Sequence, residues 1–164
     1  MARKARIDAP GAAHHIIVRG IERRKIFRNE NDRDNFLDRL DDIIVETKTQ
    51  CFAWVLMTNH VHLLFRTGAV PISKVMQRIL TGYAVWFNYK YKRHGPLFQN
   101  RYKSILCEED LYLKELVRYI HVNPLRAGIV EDMKSLDRYK WCGHMVVMGK
   151  TQRDFHDVDY VLKI

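Results

Sequence analysis

Residues 51–65 read CFAWVLM-TN-HVHLLF, and the fold turns on how this stretch is read. Residues 51–57 are the longest apolar run in the chain. Seven residues bounded by a polar pair suit a buried strand and fall far short of a membrane-spanning helix. Thr58 and Asn59 supply a tight turn, and residues 60–65 return as a second strand, antiparallel to the first. Side chains alternate along a strand. His60 and His62 therefore project from one face, while Val61, Leu63 and Phe65 point the other way into a core.

The flanking segments complete a pattern. Residues 14–19 (HHIIVR) are rich in β-branched residues and read as an earlier strand. A helix begins at Asn31 or Asp32, with Phe36, Leu37, Leu40, Ile43 and Ile44 at helical spacing. Pro71 opens a long helix carrying Ile72, Val75, Met76, Ile79, Leu80, Tyr83 and Phe87 on one stripe, ended by His94-Gly95-Pro96. Residues 101–107 form a further strand. Glu108-Glu109-Asp110 start a last helix, where acids suit the helix dipole. Its apolar stripe is Leu113, Leu116, Val117 and Ile120, and Pro124 stops it. The order β-α-β-β-α-β-α is a split β-α-β (ferredoxin-like) pattern, so the expected fold is α+β, an antiparallel sheet with helices packed on one face. A single domain over residues 1–164 is expected, with its core at about 10–128 and a tail of short pieces at 129–164.

Of 164 residues, 47% are hydrophobic and 29% charged, enough for a core and unlike a disordered chain. Twenty-eight Lys and Arg against 19 Asp and Glu give a net charge of +9. That excess favours a polyanionic partner, nucleic acid before acidic lipid. The charge is segregated. Residues 29–46 carry −5, whereas residues 66–104 carry eight basic residues and no acid. The same 39 residues hold Tyr83, Trp86, Phe87, Tyr89, Tyr91, Phe98 and Tyr102. Cations among aromatics suit single-stranded nucleic acid, with phosphates on Lys or Arg and bases on rings. The same rings could equally be core. The basic start of the chain is followed by no apolar stretch that would make a signal peptide. Three dispersed cysteines (Cys51, Cys107, Cys142) make no disulfide framework, so a reducing, cytoplasmic setting is expected and no membrane partner.

Two features could carry chemistry. Two neutral imidazoles side by side, as in His60-Val61-His62, are half of a divalent-metal site. They could also be ordinary half-buried strand histidines, or part of a structural zinc site with Cys51 or Cys107. The second feature is Tyr119, on the flank of the last helix's apolar stripe, with Asn123 four residues on and so on the same helix face. A phenol hydroxyl ionises near pH 10 and needs a nearby cation or base to attack at neutral pH. A boundary tyrosine would look the same, and Tyr112, one heptad earlier, is the rival. No GxSxG, Walker, GxGxxG or HExxH pattern is present.

Together these residues resemble a known family. Residues 57–65 (MTNHVHLLF) resemble the His-hydrophobe-His (HUH) motif of single-tyrosine transposases. Residues 119–128 (YIHVNPLRAG) and 93–104 (RHGPLFQNRYKS) resemble the branch associated with repetitive extragenic palindromes, and the likeness spans about residues 10–145. The resemblance implies a sheet with both histidines on a central strand and a tyrosine on a late helix. It implies a DNA transposase, a single-strand endonuclease that cleaves and rejoins single-stranded or hairpin DNA through a 5′-phosphotyrosine. His60 and His62 would be metal ligands for Mg²⁺ or Mn²⁺, Asn123 the third ligand where relatives often have Gln, and Tyr119 the nucleophile. Arg101, Lys103, Arg118 and Arg126 are candidate phosphate contacts. The unit would be a monomer, or a homodimer exchanging its tyrosine helix. The competing reading is a non-catalytic, domesticated nucleic-acid-binding protein.

Overall fold

A computed structural model describes residues 11–107 and 110–164. The basic residues 1–10 and the helix start read at Glu108 and Glu109 lie outside the described residues. The chain runs β1 (Ala13–Arg19), α1 (Glu30–Thr47), β2 (Gln50–Leu56), β3 (His60–Arg66), α2 (Ile72–Lys90), β4 (Lys103–Cys107) and α3 (Asp110–His121). Four short helices follow, α4 (Asn123–Arg126), α5 (Met133–Asp137), α6 (Gly143–Val147) and α7 (Val158–Lys163). The strands form one antiparallel sheet in the order β2-β3-β1-β4. Among the described residues, no helix is long and apolar enough to cross a membrane.

The α+β class and the β2–β3 hairpin are as the sequence reads. Helices on one face hold for α1 and α2 only, because α3 packs on the other. The strands explain this. Val61, Leu63 and Phe65 of β3 join Ile16 and Val18 of β1 in a core under α1 and α2. On β2 the register shifts between Cys51 and Ala53, leaving Phe52 as the extra residue of a bulge. Phe52 and Ala53 therefore share a side, and with Val55, Met57 and Leu64 they form a second core with Leu113, Val117 and Ile120 of α3. A strand buried on both faces reads as an unbroken apolar run, as residues 51–57 do.

Asn29 caps α1, its side chain accepting from the Asp32 amide at 3.0 Å. The Asp32 carboxylate is fully buried. It accepts from the Arg28 amide (2.8 Å), Lys90 Nζ (2.7 Å) and the Tyr91 hydroxyl (2.6 Å), tying the start of α1 to the end of α2. Burial alone would raise this carboxyl's pKa, but the Lys90, Tyr91 and Arg28 donors outweigh it and hold it below the ordinary value. Tyr91 is thus a structural residue rather than a base platform. Tyr83 and Phe87 are core, and Trp86, Phe98 and Tyr102 pack against it, whereas Tyr89 is 88% exposed.

Residues 139–157 run along the free edge of β2. The Leu56 amide donates to Trp141 O (2.7 Å), the Asp157 amide to Cys51 O (2.9 Å), and the Tyr139 hydroxyl to Leu56 O (2.7 Å). An edge covered in this way cannot pair with another chain. His156 fastens the segment, its Nδ1 accepting from Trp54 Nε1 (3.2 Å) and its Nε2 donating to Phe52 O (2.9 Å).

Asp32→Ala strands Lys90 and Tyr91 and should cost about 3 kcal/mol in denaturant titrations. Burial lowers the His156 pKa to about 4, against smaller raising effects from Phe52 O and Asp157. Its folded pKa lies below the unfolded value near 6.5, so stability is complete above pH 6.5 and falls as pH drops toward 4. Between pH 7.5 and pH 5 this group should remove about 2 kcal/mol. Hydrogen exchange of residues 139–157, corrected for its intrinsic pH dependence, should show the loss.

Candidate active site

The face of the sheet under α3 carries the histidine pair. Cross-strand partners share a face, so His60 lies beside Arg19, and His62 beside Ile17, which in turn neighbours Lys103 on β4. His15, two residues before Ile17, points to the same side. The His60 and His62 rings are 5.2 Å apart between centroids. Tyr119 on α3 closes the group, its ring 6.3 Å from His62 and 6.1 Å from His15, edge-on to both. Tyr119 is 40% exposed and so open to a ligand. Tyr112 lies about 10 Å earlier along α3 and is 57% exposed, so Tyr119 is the tyrosine that meets the imidazoles.

The inner nitrogens of the pair are engaged. The Asn59 side-chain oxygen accepts from His60 Nδ1 at 2.7 Å, which leaves the Nε2 lone pair of His60 free. His62 Nδ1 lies 3.0 Å from His15 Nε2, with the two rings stacked at 27°. Burial lowers the pKa of all three rings. Arg19 adds to the effect on His60, Lys103 adds to that on His15, and His15, His60 and Arg19 take His62 down to about 3. All three are neutral at pH 7, the state in which an imidazole can ligate a metal.

Other expected residues separate. The Arg126 guanidinium carbon lies 4.7 Å over the Tyr119 ring, a cation–π contact. Lys103 is exposed on the histidine face. Arg118 is held at Glu115 (3.6 Å) on the exposed side of α3, and Arg101 lines a groove of about 520 Å³ between α2 and residues 96–102. Asn123 is not on one continuous helix with Tyr119. Val122 (φ −91°, ψ 0°) interrupts, and Asn123 opens α4, because Pro124 has no N–H to continue the α3 ladder. Asn123 is half-buried.

The two neutral imidazoles fit a borderline divalent cation, and a carboxamide oxygen such as that of Asn123 is of a chemistry that would suit the same cation. Among the described residues, no group of three His, Cys, Asp or Glu side chains is arranged to hold a metal ion. A zinc site joining these imidazoles to Cys51 is excluded, since Cys51 is buried on the α1–α2 side of the sheet. His15, Arg19 and Asn59 are the neighbours that sequence reading missed. The HHIIVR strand contained His15 and Arg19, but only the cross-strand register shows which residues they face.

Residues 10–123 match the family model described as IS200-like transposase. The match covers most of the chain, and the chain belongs to this family. The fold is similar to that of a REP-associated tyrosine transposase whose structure was solved bound to a REP hairpin, with a TM-score of 0.73 and 14% identity, covering 96% of this chain and 98% of that one. A putative transposase from Deinococcus radiodurans R1 gives a TM-score of 0.49 and 20% identity over 73% of this chain and 95% of that one. No curated protein matches.

Gly20 holds this end of the sheet together. Its amide donates to Asn59 O (2.8 Å), and an added Cβ would sit 2.1 Å from Arg24 O. Gly20→Ala should therefore cost about 2 kcal/mol and loosen the Asn59 contact to His60. Denaturant titration reads the first effect, and the His60 imidazole resonances read the second.

Proposed function

We propose that this chain is a single-tyrosine DNA transposase that cleaves and rejoins single-stranded or hairpin DNA, with Tyr119 as nucleophile. The observation that carries the reading is the placement of the Tyr119 ring beside His62, on the sheet face that presents His60 and His62. Membership of the transposase family supports the reaction class. The similarity in fold to a protein solved with a REP hairpin supports hairpin DNA as the partner.

His60 Nε2, His62 Nε2 and the Asn123 carboxamide oxygen are the atoms proposed to hold Mg²⁺ or Mn²⁺. When bound, the cation supplies Lewis acidity at a non-bridging oxygen of the scissile phosphate. Tyr119 Oη attacks phosphorus in line with the 3′ oxygen and loses its proton. The P–O3′ bond breaks, the 3′ oxygen gains a proton, and a 5′-phosphotyrosine remains. Attack by another 3′-hydroxyl reverses the step and releases the phenol, so no nucleotide cofactor is needed. Arg126, stacked on the phenol ring, holds positive charge where negative charge develops. Arg19 and Lys103 flank the imidazoles and are placed for the DNA backbone. Arg101 and Arg118 lie further out and serve the flanking strand. Tyr119 and the imidazoles meet within one chain, which supports a monomer as the working unit over an exchange of tyrosine helices.

The test is covalent capture. With single-stranded palindromic DNA and Mn²⁺, the wild-type protein should form a covalent adduct. Tyr119→Phe should reduce it at least 10³-fold, and Tyr112→Phe should leave it intact. An undiminished adduct in Tyr119→Phe rejects this nucleophile, and DNA binding without any adduct in the wild type supports the non-catalytic reading.

A further inference from the structure

We infer that His15 is a positioning residue that accepts the Nδ1 proton of His62 and thereby commits His62 Nε2 to the metal. The inference rests on the proposed metal site and goes beyond its ligand set. His15 Nε2 and His62 Nδ1 are 3.0 Å apart, and the line between them can carry one proton. Two arrangements satisfy it. If His15 donates, His62 spends its Nδ1 lone pair on His15 and carries its own proton on Nε2. That outer nitrogen then has no lone pair for a cation. If His62 donates, its Nε2 lone pair is free and His15 carries its proton on Nδ1. Only the second arrangement makes His62 a ligand through Nε2.

The neighbouring ligand follows the same logic. Asn59 Oδ1 can only accept, so His60 must carry its proton on Nδ1 and offer Nε2. His15 does for His62 what Asn59 does for His60. An acceptor of this kind fixes both the tautomer and the ring plane of a metal-ligating histidine, and its loss typically weakens metal binding 10–100-fold. The sheet holds His15 in place: β1 pairs with β3 over Ile17↔His62 and His15↔Leu64, and His15 is only 5% exposed. Its ring also stands edge-on to Tyr119 at 6.1 Å, so the imidazole touches both the proposed ligand and the proposed nucleophile.

The experiment uses Mn²⁺ binding by calorimetry together with ¹⁵N imidazole shifts of the metal-free protein. Wild-type His62 should be the Nδ1–H tautomer. His15→Leu, which fills the space without an acceptor, should bind Mn²⁺ at least tenfold more weakly and lose that tautomer preference. His15→Gln, whose side-chain oxygen can accept near the position of Nε2, should bind within threefold of wild type. An Nε2–H tautomer at wild-type His62 overturns the inference, and this reading stands even if His15→Leu does not fold. Mn²⁺ binding lost in His60→Ala but retained in His15→Leu overturns this inference alone. Mn²⁺ binding absent from the wild type overturns the metal site itself and this inference with it.

Discussion

The antiparallel pairing of β1 with β3 is the constraint on which the site depends. Seven consecutive pairs, from Ala13↔Arg66 to Arg19↔His60, fix which residues of the two central strands share a face. A slip of one residue would invert one strand relative to the other. Ile16 and Val18 would leave the core under α1 and α2, and His15 would turn away from His62. Burial on both sides makes such a slip costly. Ile16, Val18, Val61, Leu63 and Phe65 are each 1% exposed or less, and each contributes roughly 1.5–3 kcal/mol of apolar burial. The hydrophobic core thus sets the strand register, and Asn59 in the β2–β3 turn completes the imidazole geometry by accepting from His60 Nδ1.

That arrangement also requires the sheet to be covered twice. α1 and α2 cover the face of Val61, Leu63 and Phe65, and α3 covers part of the face that carries the histidines. Leu113, Val117 and Ile120 bury α3 against β2 and β3, while Tyr119, one residue before Ile120, lies on the flank facing β1. The helix therefore packs and presents its phenol with adjacent residues. Its continuation is deflected at Val122 and Pro124, which brings Arg126 back over the Tyr119 ring.

Much of this was legible in the sequence, for identifiable reasons. The hairpin at residues 51–65 and the stripes of α1 and α2 are local patterns whose period declares them. The pairing of His60 with His62 follows from alternation alone, whereas the apolar stripe left Tyr119 and Tyr112 both open and only the family resemblance favoured Tyr119. What escaped was set by contacts distant in sequence. His15 meets His62 across 47 residues, and Tyr91 meets Asp32 across 59. The second covered face was hidden because CFAWVLM reads the same whether one side or both are buried, and the bulge at Phe52 breaks the alternation that would have separated them. The tail carries little period because single residues of its short pieces, such as Trp141, Val146 and Phe155, enter the core while its backbone bonds to the β2 edge.

Charge segregation in the chain takes on a different meaning once α1 and α2 are packed together. The acidic helix and the acid-free stretch that follows it are neighbours in space, and part of their charge is mutually satisfied. Lys90 reaches Asp32 at 2.7 Å, and Arg78 reaches Glu46 at 2.7 Å. The second pair is exposed and contributes little to stability, but both direct basic side chains of α2 toward α1. The cations around the imidazoles come from elsewhere: Arg19 from β1, Lys103 from β4 and Arg126 from α4. A positive rim around neutral imidazoles favours an anionic partner. The electrostatic character of the site thus arises from the strand ends and the turn after α3, whereas the basic stretch that dominates the linear sequence partly balances its acidic neighbour.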